Sequence, residues 1–339
     1  VKLQVLSTKH IFIVLYVTHV ASELCHDVAE GNPRQMEKVI RGVYSAVITP
    51  RRPDGRIDEA ALRSWLSFLV DAGVRGFAIN GATGEFCLTT KEEFRFLMEL
   101  TAEELSGRAV FVAGIGAGSV IASVQLGEIA NDAGACGVLL PMPYFFPYSQ
   151  EDLMEYTRGV AGELESQILL YNLPQFTSGL EPETSLRLIR ECPNVVGIKD
   201  SSGSLDTVSL LTEEEPGACR VIGNDGVLVK ALKNGVADAV VSGVACVLPE
   251  LITQIFDAGT TQRFGSDGTA RAEALSGFIE QLDKLPTPWG LKVMAEARGI
   301  AKASFPMPLA EKRRALVQEL ALWFEQNYAR LGAIRYAPR

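Results

Sequence analysis

The chain has 339 residues, 47% of them hydrophobic and 22% charged, with a formal net charge of −9. That length suits two average domains or one large α/β barrel. The acidic balance, with no basic stretch against it, argues against a nucleic-acid surface. No uncharged apolar run of about 18 residues is present to span a membrane.

The first 35 residues stand apart. Lys2 and Lys9 precede an apolar stretch, Ile11 to Val17, and small residues follow at Ala21-Ser22. A secretory signal has this outline, but the stretch is short and interrupted, and the first methionine is Met36. Residues 1–35 are therefore read as an N-terminal extension outside the fold. His10, His19 and His26 all lie within it, and no histidine follows. A His-ligated zinc or iron site, or a Ser-His-Asp relay, is thus denied to the main body. Acid-base chemistry there falls to Lys, Tyr, Asp, Glu, Cys or hydroxyls. The six cysteines (Cys25, Cys87, Cys136, Cys192, Cys219 and Cys246) form no C-x-x-C pair and read as reduced thiols of a cytoplasmic protein.

From Gly42 onward, short β-rich runs alternate with helical stretches. The expected strands are Gly42–Thr49, Gly76–Asn80, Ala109–Ile115, Gly137–Leu140, Ile168–Asn172, Val195–Lys199, Arg220–Gly223 and Ala237–Ser242. They are uninterrupted apolar runs, the pattern of strands buried on both faces. Thr90-Lys91-Glu92-Glu93 and Ser149-Gln150-Glu151-Asp152 have the form of helix-starting capping boxes, and Gly73, Gly134 and Gly235 are placed to stop helices before the next strand. Eight β/α units point to a (β/α)8 TIM barrel over 36–257. A doubly wound sheet would want a glycine fingerprint after the first strand, and Thr49-Pro50-Arg51-Arg52-Pro53 offers none. Residues 258–339 read as a C-terminal helical appendage with helices near Pro288–Arg298 and Leu309–Arg330.

In such a barrel the active site lies at the C-terminal ends of the strands. Strand six ends in Val195-Val196-Gly197-Ile198-Lys199-Asp200. A lysine held among apolar neighbours is costly in its charged form, and the uncharged amine is the nucleophile a Schiff base requires. The alternative is a strand-end lysine that reaches solvent. Strand five ends at Tyr171-Asn172-Leu173-Pro174, so Tyr171 and Lys199 would lie on adjacent strands, where a phenol can shuttle protons for carbinolamine formation and breakdown. The turn Gly81-Ala82-Thr83-Gly84 after strand two could hold a carboxylate in a backbone nest.

Together, G-x-T-G-E after strand two, Y-N-x-P after strand five and G-I-K-D after strand six resemble the dihydrodipicolinate synthase and N-acetylneuraminate lyase family over about residues 40–330. The resemblance implies that Lys199 forms an imine with pyruvate or a related 2-oxo acid and that Tyr171 is its proton donor and acceptor. It further implies that Ala82 and Thr83 hold the substrate carboxylate and that Gly223 and Val241 line the pyruvate end. No cofactor or metal is implied, and the usual assembly is a homo-oligomer, a tetramer built from tight dimers.

Three positions depart from the synthase pattern. Ala82 stands where a hydroxyl residue is expected, and Phe145 where a second tyrosine would be given by a partner subunit; both belong to a proton relay. Phe176 replaces an arginine that helps bind the aldehyde's carboxylate in the lysine-biosynthetic enzymes. The expectation is a Schiff-base lyase or aldolase other than the lysine-biosynthetic synthase. A 2-oxo-3-deoxy sugar-acid dehydratase using the same imine comes second, favoured by the small residue at Ala82. A non-catalytic 2-oxo acid binding protein comes third.

Overall fold

The structure is a computed structural model that describes residues 40–333. The N-terminal extension, with its histidines and Cys25, lies outside the described residues.

Eight strands close into one barrel: β1 Gly42–Ala46, β2 Gly76–Ile79, β3 Val110–Gly114, β4 Val138–Pro141, β5 Ile168–Asn172, β6 Val195–Asp200, β7 Cys219–Ile222 and β8 Ala239–Ser242. All neighbours are parallel, and β8 closes on β1 in a register running from Gly42 opposite Ala239 to Ser45 opposite Ser242. Each strand is followed by a helix: α1 Glu59–Asp71, α2 Lys91–Leu105, α3 Val120–Asp132, α4 Gln150–Glu163, α5 Pro182–Glu191, α6 Asp206–Glu214, α7 Leu228–Lys233 and α8 Pro249–Thr260. The expected (β/α)8 fold is the observed one.

The continuous apolar character of the strands follows from burial on both sides. Residues such as Leu139, Leu169, Val221 and Val241 fill the barrel interior. Their neighbours Leu140, Leu170, Ile222 and Val240 face the helical ring. Both capping boxes form, at Thr90 with Glu93 and at Ser149 with Asp152. Gly73, Gly134 and Gly235 adopt φ of +94°, +83° and +68°, the left-handed geometry that terminates a helix without a Cβ clash. The first strand is shorter than expected. Val47 still donates to the Ala78 carbonyl at 3.0 Å, but Pro50 has no N–H to continue a ladder, and Arg51 bridges back to Ile57 instead.

After α8 come α9 Ser266–Leu282, α10 Trp289–Ala297 and α11 Glu311–Asn327. Two buried cations tie α10 to the barrel. Lys292 Nζ donates to Glu85 Oε2 at 2.6 Å and to the Ser304 carbonyl at 2.8 Å. The guanidinium of Arg298, the residue capping α10, pairs with Glu250 of α8 at 2.8 Å, also donates to the Val247 carbonyl, and stacks 4.9 Å from the Phe68 ring centre. Among the described residues no helix is long and apolar enough to cross a membrane.

Candidate active site

Register places the lysine and tyrosine side by side. On β5 and β6, Tyr171 lies directly opposite Lys199, and on the other side Lys199 lies opposite Val221 of β7. Alternation turns Tyr171, like Leu169, into the barrel interior. Lys199 is 3% exposed, and its Nζ sits 3.7 Å from the centre of the Tyr171 ring. The ring face carries negative quadrupole density that steadies a cation there.

The residues following each of these two anchor the loops beyond them. Asn172 Nδ2 donates to the Leu180 carbonyl and to Asp200 Oδ2, both at 3.3 Å, while its Oδ1 accepts from Leu180 N at 3.0 Å. Asp200 Oδ1 accepts from Ser202 N at 2.7 Å. The Asn and Asp of the Y-N and K-D pairs thus fix both loop exits and bond to each other across the strand pair.

Gly223, just past β7, makes room for the lysine. A Cβ there would stand 2.1 Å from Ser201 Oγ and 2.9 Å from Lys199 Cε, so both side chains would have to shift to admit it. The turn after β2 closes through Glu85 N to Ala82 O at 3.0 Å and Phe86 N to Gly81 O at 3.2 Å. It presents Thr83 toward the β8 exit: a methyl added to Gly243 would stand 3.5 Å from Thr83 Oγ1 and 3.9 Å from Asp225 Oδ2.

All six residues singled out from sequence, Lys199, Tyr171, Ala82, Thr83, Gly223 and Val241, line one cavity of about 310 Å³ at the C-terminal end of the barrel. Phe176 also lines it, with 56% of its surface exposed. Phe145, Tyr144 and Tyr148 are not among its lining residues. Phe145 is 87% exposed at φ +84°, and the Tyr144 ring packs edge-on against Phe86.

Sequence reading missed two contributions. The first is Asp225, whose carboxyl is raised above the ordinary range by burial, with the Ser242 hydroxyl, the Val244 amide and the charge of Lys199 acting in the opposite sense. Its Oδ2 accepts from Val244 N at 3.1 Å, and its buried Oδ1 has no hydrogen-bond partner. The segment Gly223-Asn224-Asp225-Gly226 follows strand seven at the rim where a site is sought, but nothing in the sequence singles out Asp225 within it. The second is the roof, formed by Ile279, Leu282 and Asp283 at the end of α9 and by Leu291 of α10. Among the described residues no three His, Cys, Asp or Glu side chains gather as a metal site.

Comparison with known proteins gives a consistent answer. The pattern of the dihydrodipicolinate synthetase family matches residues 39–326. A 4-hydroxy-tetrahydrodipicolinate synthase of Methanopyrus kandleri is 34% identical over 281 residues, covering 81% of this chain and 92% of that protein. The enzyme of the same name from Bacillus subtilis is 30% identical, covering 79% and 92%. The solved 4-hydroxy-tetrahydrodipicolinate synthase of Methylacidiphilum fumariolicum superposes with a TM-score of 0.79 at 28% identity, covering 86% of this chain and 98% of that one. With a matching sequence pattern over nearly all of the described chain, the same barrel, and a lysine and tyrosine paired at its C-terminal end, this chain belongs to the dihydrodipicolinate synthetase family of Schiff-base lyases.

Proposed function

We propose that the cavity is the active site of a class I lyase that joins a 2-oxo acid such as pyruvate to an aldehyde, or cleaves the resulting 4-hydroxy-2-oxo acid. The observation that carries this reading is the buried Lys199 amine, 3.7 Å above the Tyr171 ring, in a cavity bordered by Thr83 and Gly223. The Lys199 amine adds to the ketone carbon to give a carbinolamine. Loss of water, with Tyr171 supplying the proton, leaves a protonated imine. That imine draws electrons from the neighbouring C–H bond, and removal of the C3 proton gives an enamine. The enamine carbon attacks the aldehyde carbon, the new alkoxide takes up a proton, and water hydrolyses the imine to free Lys199. Ala82 and Thr83 hold the acid's carboxylate, with Gly223 and Val241 closing the space around its short carbon chain.

Within this class the lysine-biosynthetic reaction is disfavoured, because Phe176 occupies the cavity wall where a guanidinium would meet a second carboxylate. We also infer a homo-oligomer, supported by the adjacent rings of Phe145 and Phe146, 87% and 62% exposed and packed edge to face at 4.8 Å.

The test is borohydride reduction of the full chain with pyruvate, followed by intact mass and peptide mapping. A pyruvate-derived adduct on the peptide containing Lys199, absent from Lys199→Ala, is the expected result. Folded protein that forms no adduct with pyruvate or longer 2-oxo acids would refute the proposal. An adduct without turnover of any aldehyde or sugar acid would favour a binding protein.

A further inference from the structure

The cavity has a motif-coded inner end and an outer end that no motif describes. We infer that the outer end selects an uncharged aldehyde with an apolar or aromatic body as the partner of the 2-oxo acid; this rests on the lyase reading above.

Charge is the first argument. Among the described residues, the only basic side chain lining the cavity is Lys199. In the enamine that attacks the aldehyde its nitrogen no longer carries a positive charge, and the carboxylate of the 2-oxo acid is met by Thr83 and its turn. The acidic side chains on the wall are those of Asp225 and Asp283. A second carboxylate, carried on the aldehyde, would find no cation and would face the exposed Asp283 at the mouth. Like charges at a partly desolvated mouth repel.

The second argument is the surface that remains. Ile279, Leu282 and Leu291 line it from the roof and Phe176 from the loop after β5, beside the polar but uncharged Gln175, Ser201, Asn224 and Thr287. Leu291 is 6% exposed, so it is set in the wall, while Phe176 keeps 56% of its surface free to cover a ligand. Burying apolar ligand surface against the four apolar side chains is favourable, whereas a polyhydroxylated chain would exchange water for hydrocarbon wherever it met them. The volume of about 310 Å³ lies at the small end of ligand sites, which run from roughly 300 to 1,000 Å³. It therefore fits a short alkyl chain or a single ring beyond the imine.

The experiment compares condensation of pyruvate with four probes on the full chain: n-butanal, benzaldehyde, D-glyceraldehyde and succinic semialdehyde. Borohydride trapping is run in parallel. Butanal or benzaldehyde is expected to exceed succinic semialdehyde by at least about tenfold in kcat/KM, and to exceed glyceraldehyde. Phe176→Arg is expected to raise kcat/KM for succinic semialdehyde by about 10- to 100-fold, as a new charge-assisted contact would, and to lower it for benzaldehyde. Succinic semialdehyde equal to or better than the neutral apolar probes would overturn the inference, as would glyceraldehyde ahead of both. Trapping at Lys199 with none of the four aldehydes consumed would overturn it too, while leaving the imine reading intact. No trapping would sink that parent reading first.

Discussion

Replacing Lys292 with methionine tests whether the roof and the turn after β2 are one mechanical unit. Lys292 and Glu85 lie 207 residues apart in sequence, yet their side chains are 5% and 8% exposed and their charged atoms 2.6 Å apart. Methionine keeps most of the length and volume of the lysine stem but removes the ammonium. Glu85 is left as a buried carboxylate without its cation, and the Ser304 carbonyl loses a donor. Breaking a buried pair from one side costs about 3–5 kcal/mol, a large part of the roughly 5–15 kcal/mol that holds a domain folded. At this size each kcal/mol moves Tm by about 2 °C, so Lys292→Met should melt roughly 6–10 °C below the parent. Glu85→Gln added to Lys292→Met removes the orphaned charge and should recover more than half of that loss. Glu85 also ends the turn that carries Thr83, so Lys292→Met should raise the pyruvate concentration that half-saturates borohydride trapping. Scanning calorimetry on the three proteins decides. A Tm within about 1 °C of the parent, or a double variant no more stable than the single, would refute the coupling.

Tyr171→Phe keeps the ring beneath Lys199 and removes only the hydroxyl. It should still trap pyruvate, with turnover reduced by about 10²–10⁴-fold, the usual loss of a positioned acid-base group; unchanged steady-state kinetics would remove Tyr171 from proton transfer. Gly223→Ala places a methyl against Ser201 Oγ and Lys199 Cε, so stability should fall by about 1–3 kcal/mol and trapping should slow more than tenfold. Both Ser201 Oγ and the lysine stem would have to move to admit it, and normal trapping would show that the displaced stem still reaches the substrate. Asp225→Asn should show a pH-dependent gain in stability. Burial raises the folded-state pKa of Asp225, so its contribution is present below the unfolded value and is lost as pH rises through the folded one. The Asn variant should therefore gain in Tm relative to the parent as pH rises, with the widest margin in its favour at neutral pH; a constant difference would contradict a raised carboxyl.

The barrel was legible because strands buried on both faces are uninterrupted apolar runs, and because helix caps and positive-φ glycines punctuate the intervals. The inner site was legible for a related reason: strand ends at one rim of the barrel converge, so Tyr171 on β5, Lys199 on β6 and Gly223 after β7 could be placed together from order alone. What escaped was everything fixed by distant packing. Leu282 and Leu291 read as ordinary apolar positions of amphipathic helices, since nothing local distinguishes a core-facing leucine from one that faces a ligand. Lys292 carried a faint signal, a lone cation within the apolar run Trp289-Gly290-Leu291-Lys292-Val293-Met294, but its partner lies beyond the reach of any local pattern. The end of β1 was misjudged because Val47 and Ile48 are buried and apolar like strand residues, while Pro50 decides where the ladder stops.

The two ends of the cavity are joined through adjacent residues of one helix. Leu291 faces the cavity, and the next residue, Lys292, turns to Glu85 at the end of the turn that carries Ala82 and Thr83. Arg298, capping the same helix, is held by Glu250 and Val247 beside the Phe68 ring. The helix that supplies the apolar roof is thus fixed at one end to the turn after β2 and at the other to the barrel's last helix. A ligand leaning on Leu291 meets a wall anchored to the groups proposed to orient the 2-oxo acid, so in that reading its fit at the outer end bears directly on alignment of the enamine carbon at the inner one. Enzymes lose large factors in rate from displacements near 1 Å at such a carbon. Selection of the aldehyde can therefore act through kcat as well as KM, and roof substitutions such as Leu291→Ala should lower kcat and raise KM for an apolar aldehyde while leaving pyruvate trapping close to that of the parent.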